Sequence, residues 1–135
     1  MMRNAATVDA CACGSGLNYA ACCGRWHADP EHLHAPTAEA LMRSRYSAYV
    51  LGLGDYLQDT WHASTRPAQA PSFEPAVQWL GLEVKCHTIT DDTHAEVEFV
   101  ARSKLGGRAQ RLHERSRFVR EAGRWFYADG ETPPR

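Results

Sequence analysis

Four of the chain's five cysteines fall within thirteen residues, as Cys11, Cys13, Cys22 and Cys23, in the pattern C-x-C, eight residues, C-C. Thiolates at this density suit a tetrahedral Zn²⁺ ion, and a closed all-cysteine site is structural rather than catalytic. The segment needs such an anchor. Its only sizeable apolar side chains are Leu17 and Tyr19, whereas ordering each backbone residue costs about 1–2 kcal/mol. Structural zinc supplies about 10–16 kcal/mol in finger-sized peptides. Gly14-Ser15-Gly16 after the first pair permits a tight turn that aims amide N–H groups at the sulfurs. Leu17 to Cys22 is long enough for one or two helical turns that return the second pair to the metal. A disulfide framework fits poorly, because adjacent and once-spaced cysteines do not pair well, the count is odd and no secretory signal precedes them. A redox pair would carry C-x-x-C beside a βαβ pattern, and neither is present.

The run C-x-C-G-S-G-x-x-Y-x-x-C-C resembles the SEC-C motif, a small zinc module known from the tail of the bacterial protein-translocation motor and from many bacterial proteins. The resemblance implies Cys11, Cys13, Cys22 and Cys23 as the ligands. In the motor the module docks the export chaperone and acidic surfaces through lysines around the tyrosine. Leu17, Asn18, Ala20 and Ala21 stand at those places here, so the module is expected to keep its fold and meet a different, unidentified protein partner.

A second group of residues could do chemistry away from the cysteines. Arg45 falls near the middle of an apolar helical face and Glu114 on an otherwise apolar strand face. Charges that break a pattern inward mark paired or functional positions, so the two are expected to meet, either as an ion pair closing the core or in a pocket. His62, after Trp61 and before Arg66, could line the pocket mouth as a proton carrier or simply cap a loop. Tyr46, Tyr49 and Trp61 could wall a planar ligand or serve as plain core. His32 and His34 could join or replace a zinc ligand, although four thiolates already fill a tetrahedron.

The elements that must position these groups follow from periodicity. Residues 1–10 read as a flexible start, 11–27 as the zinc module and 28–36, with Pro30 and Pro36, as a linker. Thr37 to Leu53 reads as a helix capped by Thr37, with Ala38, Leu41, Met42, Ala48 and Tyr49 on one face and Glu39, Arg43, Ser44 and Ser47 opposite. Asp55 caps a short second helix to Trp61, and a third turn is expected around Phe73 to Gln78. The period then changes to two over Trp79–Ile89, Thr93–Lys104, Arg108–Arg120 and Arg124–Asp129, with turns at Gly106-Gly107 and Ala122-Gly123. On the first strand Leu80, Leu82, Val84 and Cys86 share a face, which makes Cys86 a core residue. On the third, Leu112, Glu114, Ser116 and Phe118 point inward, and Arg111, His113, Arg115 and Arg117 point out. Residues 131–135 read as a flexible tail.

Helices followed by antiparallel strands predict an α+β fold, with the long helix in the concave face of a curved sheet. At 135 residues, 44% hydrophobic and 23% charged with net charge −1, the chain has the composition of one soluble domain. No apolar run reaches the ~20 residues of a membrane span, and the reduced cysteines suggest the cytoplasm. The basic strand face faces Glu96 and Glu98 on its neighbour, a pattern of cross-strand pairing that argues against nucleic acid. Trp125 and Tyr127, if exposed at an open sheet edge, would suit a homodimer.

The stretch Thr37 to Tyr49, with Thr60-Trp61-His62, Thr65-Arg66-Pro67, Trp79-Leu80-Gly81-Leu82, His113-Glu114-x-Ser116-x-Phe118 and Gly123-Arg124-Trp125, resembles the YchJ-type family of uncharacterised bacterial proteins. That resemblance implies a cone-shaped domain like nuclear transport factor 2 over residues 37–130, a scaffold used by both enzymes and binding modules. Two functions follow. One is a non-enzymatic adaptor whose cone takes a small molecule or peptide. The other is a small enzyme with Glu114 or His62 as general base, Arg45 as anion stabiliser and purely structural zinc. No Ser-His-Asp order, phosphate loop or three-ligand metal site supports the enzyme. A filled cone would favour the adaptor, and an open cone holding an anion beside Arg45 and Glu114 would favour chemistry.

Overall fold

A computed structural model of the chain describes residues 10–28, 35–74 and 76–133. After a single 3₁₀ turn at Tyr19–Ala21 come three helices, α1 (Cys23–His27), α2 (Ala38–Leu51) and α3 (Gly54–Asp59). Four strands follow, β1 (Gln78–Asp91), β2 (His94–Leu105), β3 (Arg108–Glu121) and β4 (Arg124–Glu131). They form one curved antiparallel meander in the order β1-β2-β3-β4, and α2 packs against β1, β2 and β4. The architecture is the α+β arrangement, a long helix against a curved sheet, that the helix-then-strand pattern predicts, and it takes the cone shape that the family resemblance implies. Most of the expected flexible start and linker, including His32 and His34, and the last two residues lie outside the described residues. No helix among the described residues is long and apolar enough to cross a membrane.

The long helix starts where the sequence says it should. Thr37 is extended and its Oγ1 accepts a hydrogen bond from the Ala40 N–H at 3.0 Å, with Glu39 in the first turn. It ends at Gly52, in the left-handed conformation. Half of its polar face, however, is not solvated. Ser44 and Ser47 are fully buried, because the cysteine module and α3 cover the side that a two-faced helix would leave to water. Ser44 donates to the Leu41 carbonyl at 2.7 Å and lies 2.6 Å from the Tyr56 hydroxyl. The third turn expected around Phe73 to Gln78 is a single hydrogen-bonded turn rather than a helix, the Val77 N–H donating to the Glu74 carbonyl at 3.1 Å.

Strand β1 departs from strict alternation. Its pairing with β2 slips between Trp79 and Gly81, and again between Val84 and Cys86. Each bulge shifts which side chains face the core. Trp79, Leu82 and Val84 pack on the core, whereas Leu80 is 55% exposed and Cys86 is exposed. Cys86 is therefore not the core residue that unbroken alternation implies.

At the other edge, residues 60–62 run beside β4. The Tyr127 N–H donates to the Thr60 carbonyl at 2.8 Å and the His62 N–H to the Tyr127 carbonyl at 2.7 Å. This pairing carries Trp61 onto the ring of Tyr127, edge to face at 5.1 Å. Trp125 is 8% exposed and Tyr127 is part-buried, so the exposed rings invoked for a dimer point into the molecule. β4 continues to Glu131, which lies 3.6 Å from Arg115 and 3.2 Å from Arg117; the sheet thus extends into the expected tail. On the outer face His113 and Arg115 meet Glu98 at 2.7 and 3.5 Å, the cross-strand pairing that the sequence suggests.

Candidate metal centre and cone cavity

The cysteine segment closes on itself before it touches the cone. The Cys11 N–H donates to the Leu17 carbonyl at 3.0 Å and the Gly14 N–H to the Cys11 carbonyl at 3.3 Å. Gly14 and Gly16 supply the positive φ values, 81° and 87°, that this tight return requires. The 3₁₀ turn and α1 then deliver Cys22 and Cys23. All four cysteine sulfurs are buried and lie within 4.8 Å of one another, with Cys13–Cys22 at 3.6 Å and Cys22–Cys23 at 4.0 Å. Zinc–sulfur bonds of about 2.3 Å in a tetrahedron set sulfurs about 3.8 Å apart. The donor set therefore fits a tetrahedral metal ion.

Electrostatics give the cluster a reason to bind one. A hydrogen bond from Cys23, against the opposing effect of burial, draws the Cys13 thiol down to about 4. The same bond and burial push the Cys23 thiol up, and burial raises Cys22. Cys13 is thus drawn toward the thiolate while Cys22 and Cys23 are pushed toward the thiol. Four thiolates share so small a volume only around a cation.

The Ser15 backbone amide bonds to Cys13, as the Gly14-Ser15-Gly16 turn implies, and hydroxyls stand against the other sulfurs. Ser15 Oγ is 3.1 Å from Cys22 Sγ, and Ser47 Oγ, from α2, is 3.5 Å from Cys11 Sγ. Arg43 of α2 donates through Nη1 to the Cys13 carbonyl at 2.9 Å and through Nε to Glu39 at 3.0 Å. His27, on α1, lies 2.5 Å from the Tyr19 hydroxyl and 2.8 Å from the Ser44 carbonyl. It is a clasp between the module and α2, apart from the sulfur cluster. The cysteines consequently belong to the same buried cluster as Leu41, Met42, Tyr46, Val97 and Phe118.

Beyond α2 the cone is open. A cavity of about 570 Å³ reaches both Arg45 and Glu114, with Tyr46, Tyr49, Trp61 and Tyr127 also in its wall. That volume is within the usual range of small-molecule sites, roughly 300–1,000 Å³. Arg45 and Glu114 make no direct ion pair; Tyr127 stands between them. The Arg45 guanidinium lies over the Tyr127 ring at 4.6 Å and over Trp61 at 5.2 Å. Its Nη1 donates to the Leu57 carbonyl and to Thr60 Oγ1, both at 2.7 Å. Glu114 Oε2 accepts from Ser116 Oγ at 2.6 Å and from the Tyr127 hydroxyl at 3.3 Å. Burial, followed by the charge of Glu114, pushes the Tyr127 phenol above its ordinary value, and burial depresses Arg45.

His62 is placed elsewhere. It is absent from the cavity wall; its Nε2 meets Glu121 at 2.7 Å and its Nδ1 meets Ser64 Oγ at 2.8 Å. Sequence reasoning missed Ser47, Ser116, Tyr127 and Thr60. Ser116 and Tyr127 carried a signal in their inward strand positions; Ser47 and Thr60 carried none.

The match to known proteins is consistent across sequence and structure. Residues 37–130 match the family described as YchJ, middle NTF2-like domain, and residues 9–25 match the SEC-C motif. The chain belongs to the YchJ family. A UPF0225 protein of Bordetella pertussis is 54% identical over 131 residues, covering 97% of this chain and 98% of the relative. A UPF0225 protein of Methylibium petroleiphilum is 61% identical over 124 residues, covering 92% and 89%. Among solved structures, a SEC-C motif-containing protein from Rhodopseudomonas palustris matches with TM-score 0.79 at 36% identity, over 92% of this chain and 98% of that one. A SEC-C motif-containing protein from Psychrobacter arcticus matches with TM-score 0.77 at 28% identity, over 97% and 86%. The YchJ fold and the SEC-C motif thus occur together along this chain, and the two solved structures described as SEC-C motif-containing share its fold.

Proposed function

We propose that this YchJ-family chain is a non-catalytic binding module. A structural zinc ion holds the SEC-C segment against α2, and the cone takes a small molecule. The cone is not the filled one that would favour an adaptor outright; the observation that supports a binding module is its open cavity between Arg45 and Glu114, walled by aromatic rings. Zinc is the metal that suits four cysteine sulfurs in a closed, redox-inert site. Five cysteines free of disulfides suit a reducing compartment such as the cytoplasm. The outer side of the module, with Leu17 exposed and Arg25 over the Trp26 ring at 4.5 Å, is its surface for a protein partner.

The open cavity also gives the enzymatic alternative its one favourable observation, since Glu114 could act as a base with Arg45 beside the developing anion. His62 has no part in that version, being outside the cavity wall. The binding reading is preferred because the Ser116 and Tyr127 hydroxyls already occupy Glu114 Oε2. Native mass spectrometry of protein purified without chelator tests both parts. One zinc per chain with a co-purified small molecule, released unchanged on denaturation, is the expected result. A metal-free, folded protein removes the zinc half, and steady conversion of the released molecule by fresh protein turns the cone into an enzyme.

A further inference from the structure

The two poles of the cone cavity are complementary in a way that restricts what can occupy it. This step rests on the binding reading above and narrows it to a chemical class. Arg45 is 6% exposed. It spends Nη1 on Leu57 and Thr60, while its Nε and Nη2 have no acceptor among the described residues. Glu114 receives both of its hydroxyl donors on Oε2, and its Oε1 has no donor among them. The buried Trp61 Nε1 also has no partner among the described residues. The cavity therefore presents unused donors at one pole and an unused acceptor at the other, across the ring of Tyr127. Glu74, the other charged residue of the wall, is exposed at the mouth, where water screens it.

Ligand charge is constrained by this arrangement. A carboxylate drawn to Arg45 would also face Glu114, and an ammonium drawn to Glu114 would also face Arg45. Like charges brought together in a water-poor site are costly. A neutral group carrying an acceptor beside a donor satisfies both poles and repels neither. The surrounding rings, with Tyr46 and Trp79 edge to face at 5.7 Å and Tyr49 and Phe73 at 6.1 Å, suit a flat apolar body. We propose that the cavity binds a neutral, flat molecule of the carboxamide or lactam type, with its carbonyl oxygen on Arg45 and its N–H on Glu114.

Three probes of nearly one shape test this: naphthamide, which has acceptor and donor; acetonaphthone, which has the acceptor alone; and naphthoate, which is charged. Each is titrated into the full-length zinc-loaded protein, following the indole N–H resonances of Trp61 and Trp79 by NMR. Naphthamide is expected to bind about tenfold or more tightly than either of the others. In Glu114→Gln the side-chain oxygen stays with Ser116 and Tyr127, which turns its NH₂ toward the ligand. The preference should then move from naphthamide to naphthoate. Wild-type protein binding naphthoate or acetonaphthone as tightly as naphthamide overturns the donor–acceptor assignment but leaves a binding cavity in place. If none of the three moves either indole resonance, the small-molecule reading of the cone fails with it.

Discussion

The Cα of Gly130 faces the Glu114 carboxylate so closely that a Cβ added there would overlap Oε2, Cδ and Cγ of that side chain. Glycine is needed here for close approach rather than for an unusual backbone angle. Gly130→Ala must push Glu114 away from Ser116 and Tyr127. The expected loss is about 1–3 kcal/mol in urea unfolding. The double variant Gly130→Ala, Glu114→Ala removes the collision, so the two losses should be strongly non-additive. Simple additivity would mean that Glu114 does not lean on Gly130.

Metal removal should reach further than the cysteine segment. Cys11, Cys13, Cys22 and Cys23 share one buried cluster with Leu41, Met42 and Tyr46 of α2, and Ser47 touches Cys11. Chelation leaves four crowded thiols that cannot all ionise. Hydrogen exchange should accelerate in α2 as well as in residues 11–28, and the unfolding midpoint should fall. Unchanged protection of the α2 amides in chelator would show that the cone stands without the metal module.

The parts of this molecule that sequence discloses are those set by local spacing. Cysteine spacing brought the four sulfurs together, Thr37 marked the start of α2, and the inward alternation of Leu112, Glu114, Ser116 and Phe118 placed Glu114 in the cavity. What stayed hidden depends on distant segments. Ser44 and Ser47 look solvent-facing until the cysteine module folds back over them. The bulges that expose Leu80 and Cys86 come from pairing with β2, and no residue in β1 announces both. His62 finds Glu121 across 59 positions of chain, and Arg45 and Glu114 are separated by Tyr127, whose place is set by pairing with residues 60–62.

Tyr127 gives the cavity an alkaline limit. Its phenol holds its proton above the unfolded value of about 10, through burial and the nearby Glu114 charge. A folded value raised in this way contributes stability that is complete below pH 10 and is lost as pH climbs from there toward the folded value. Thermal unfolding should therefore shift downward above pH 10. Tyr127→Phe should lose part of that slope, with Tyr46, also raised chiefly by burial, supplying some of the rest. Parallel pH profiles for the two proteins would contradict the placement of the Tyr127 hydroxyl.

Arg45 separates a structural keystone from a ligand group. Burying a guanidinium without a contacting anion carries a desolvation cost that two neutral acceptors and two aromatic faces only partly offset. Met fills a similar volume without that charge. Arg45→Met should stay within about 1 kcal/mol of wild type or gain stability, whereas Arg45→Ala opens a hole and should lose about 2–5 kcal/mol. Naphthamide binding should weaken in both variants, because neither offers a donor to its carbonyl. Thermal denaturation beside the same NMR titration decides the matter. Were Arg45→Met to unfold as readily as Arg45→Ala while still binding naphthamide, the guanidinium would be a bolt joining α2 to Leu57 and Thr60, and the donor pole of the cavity would have to be sought at Trp61.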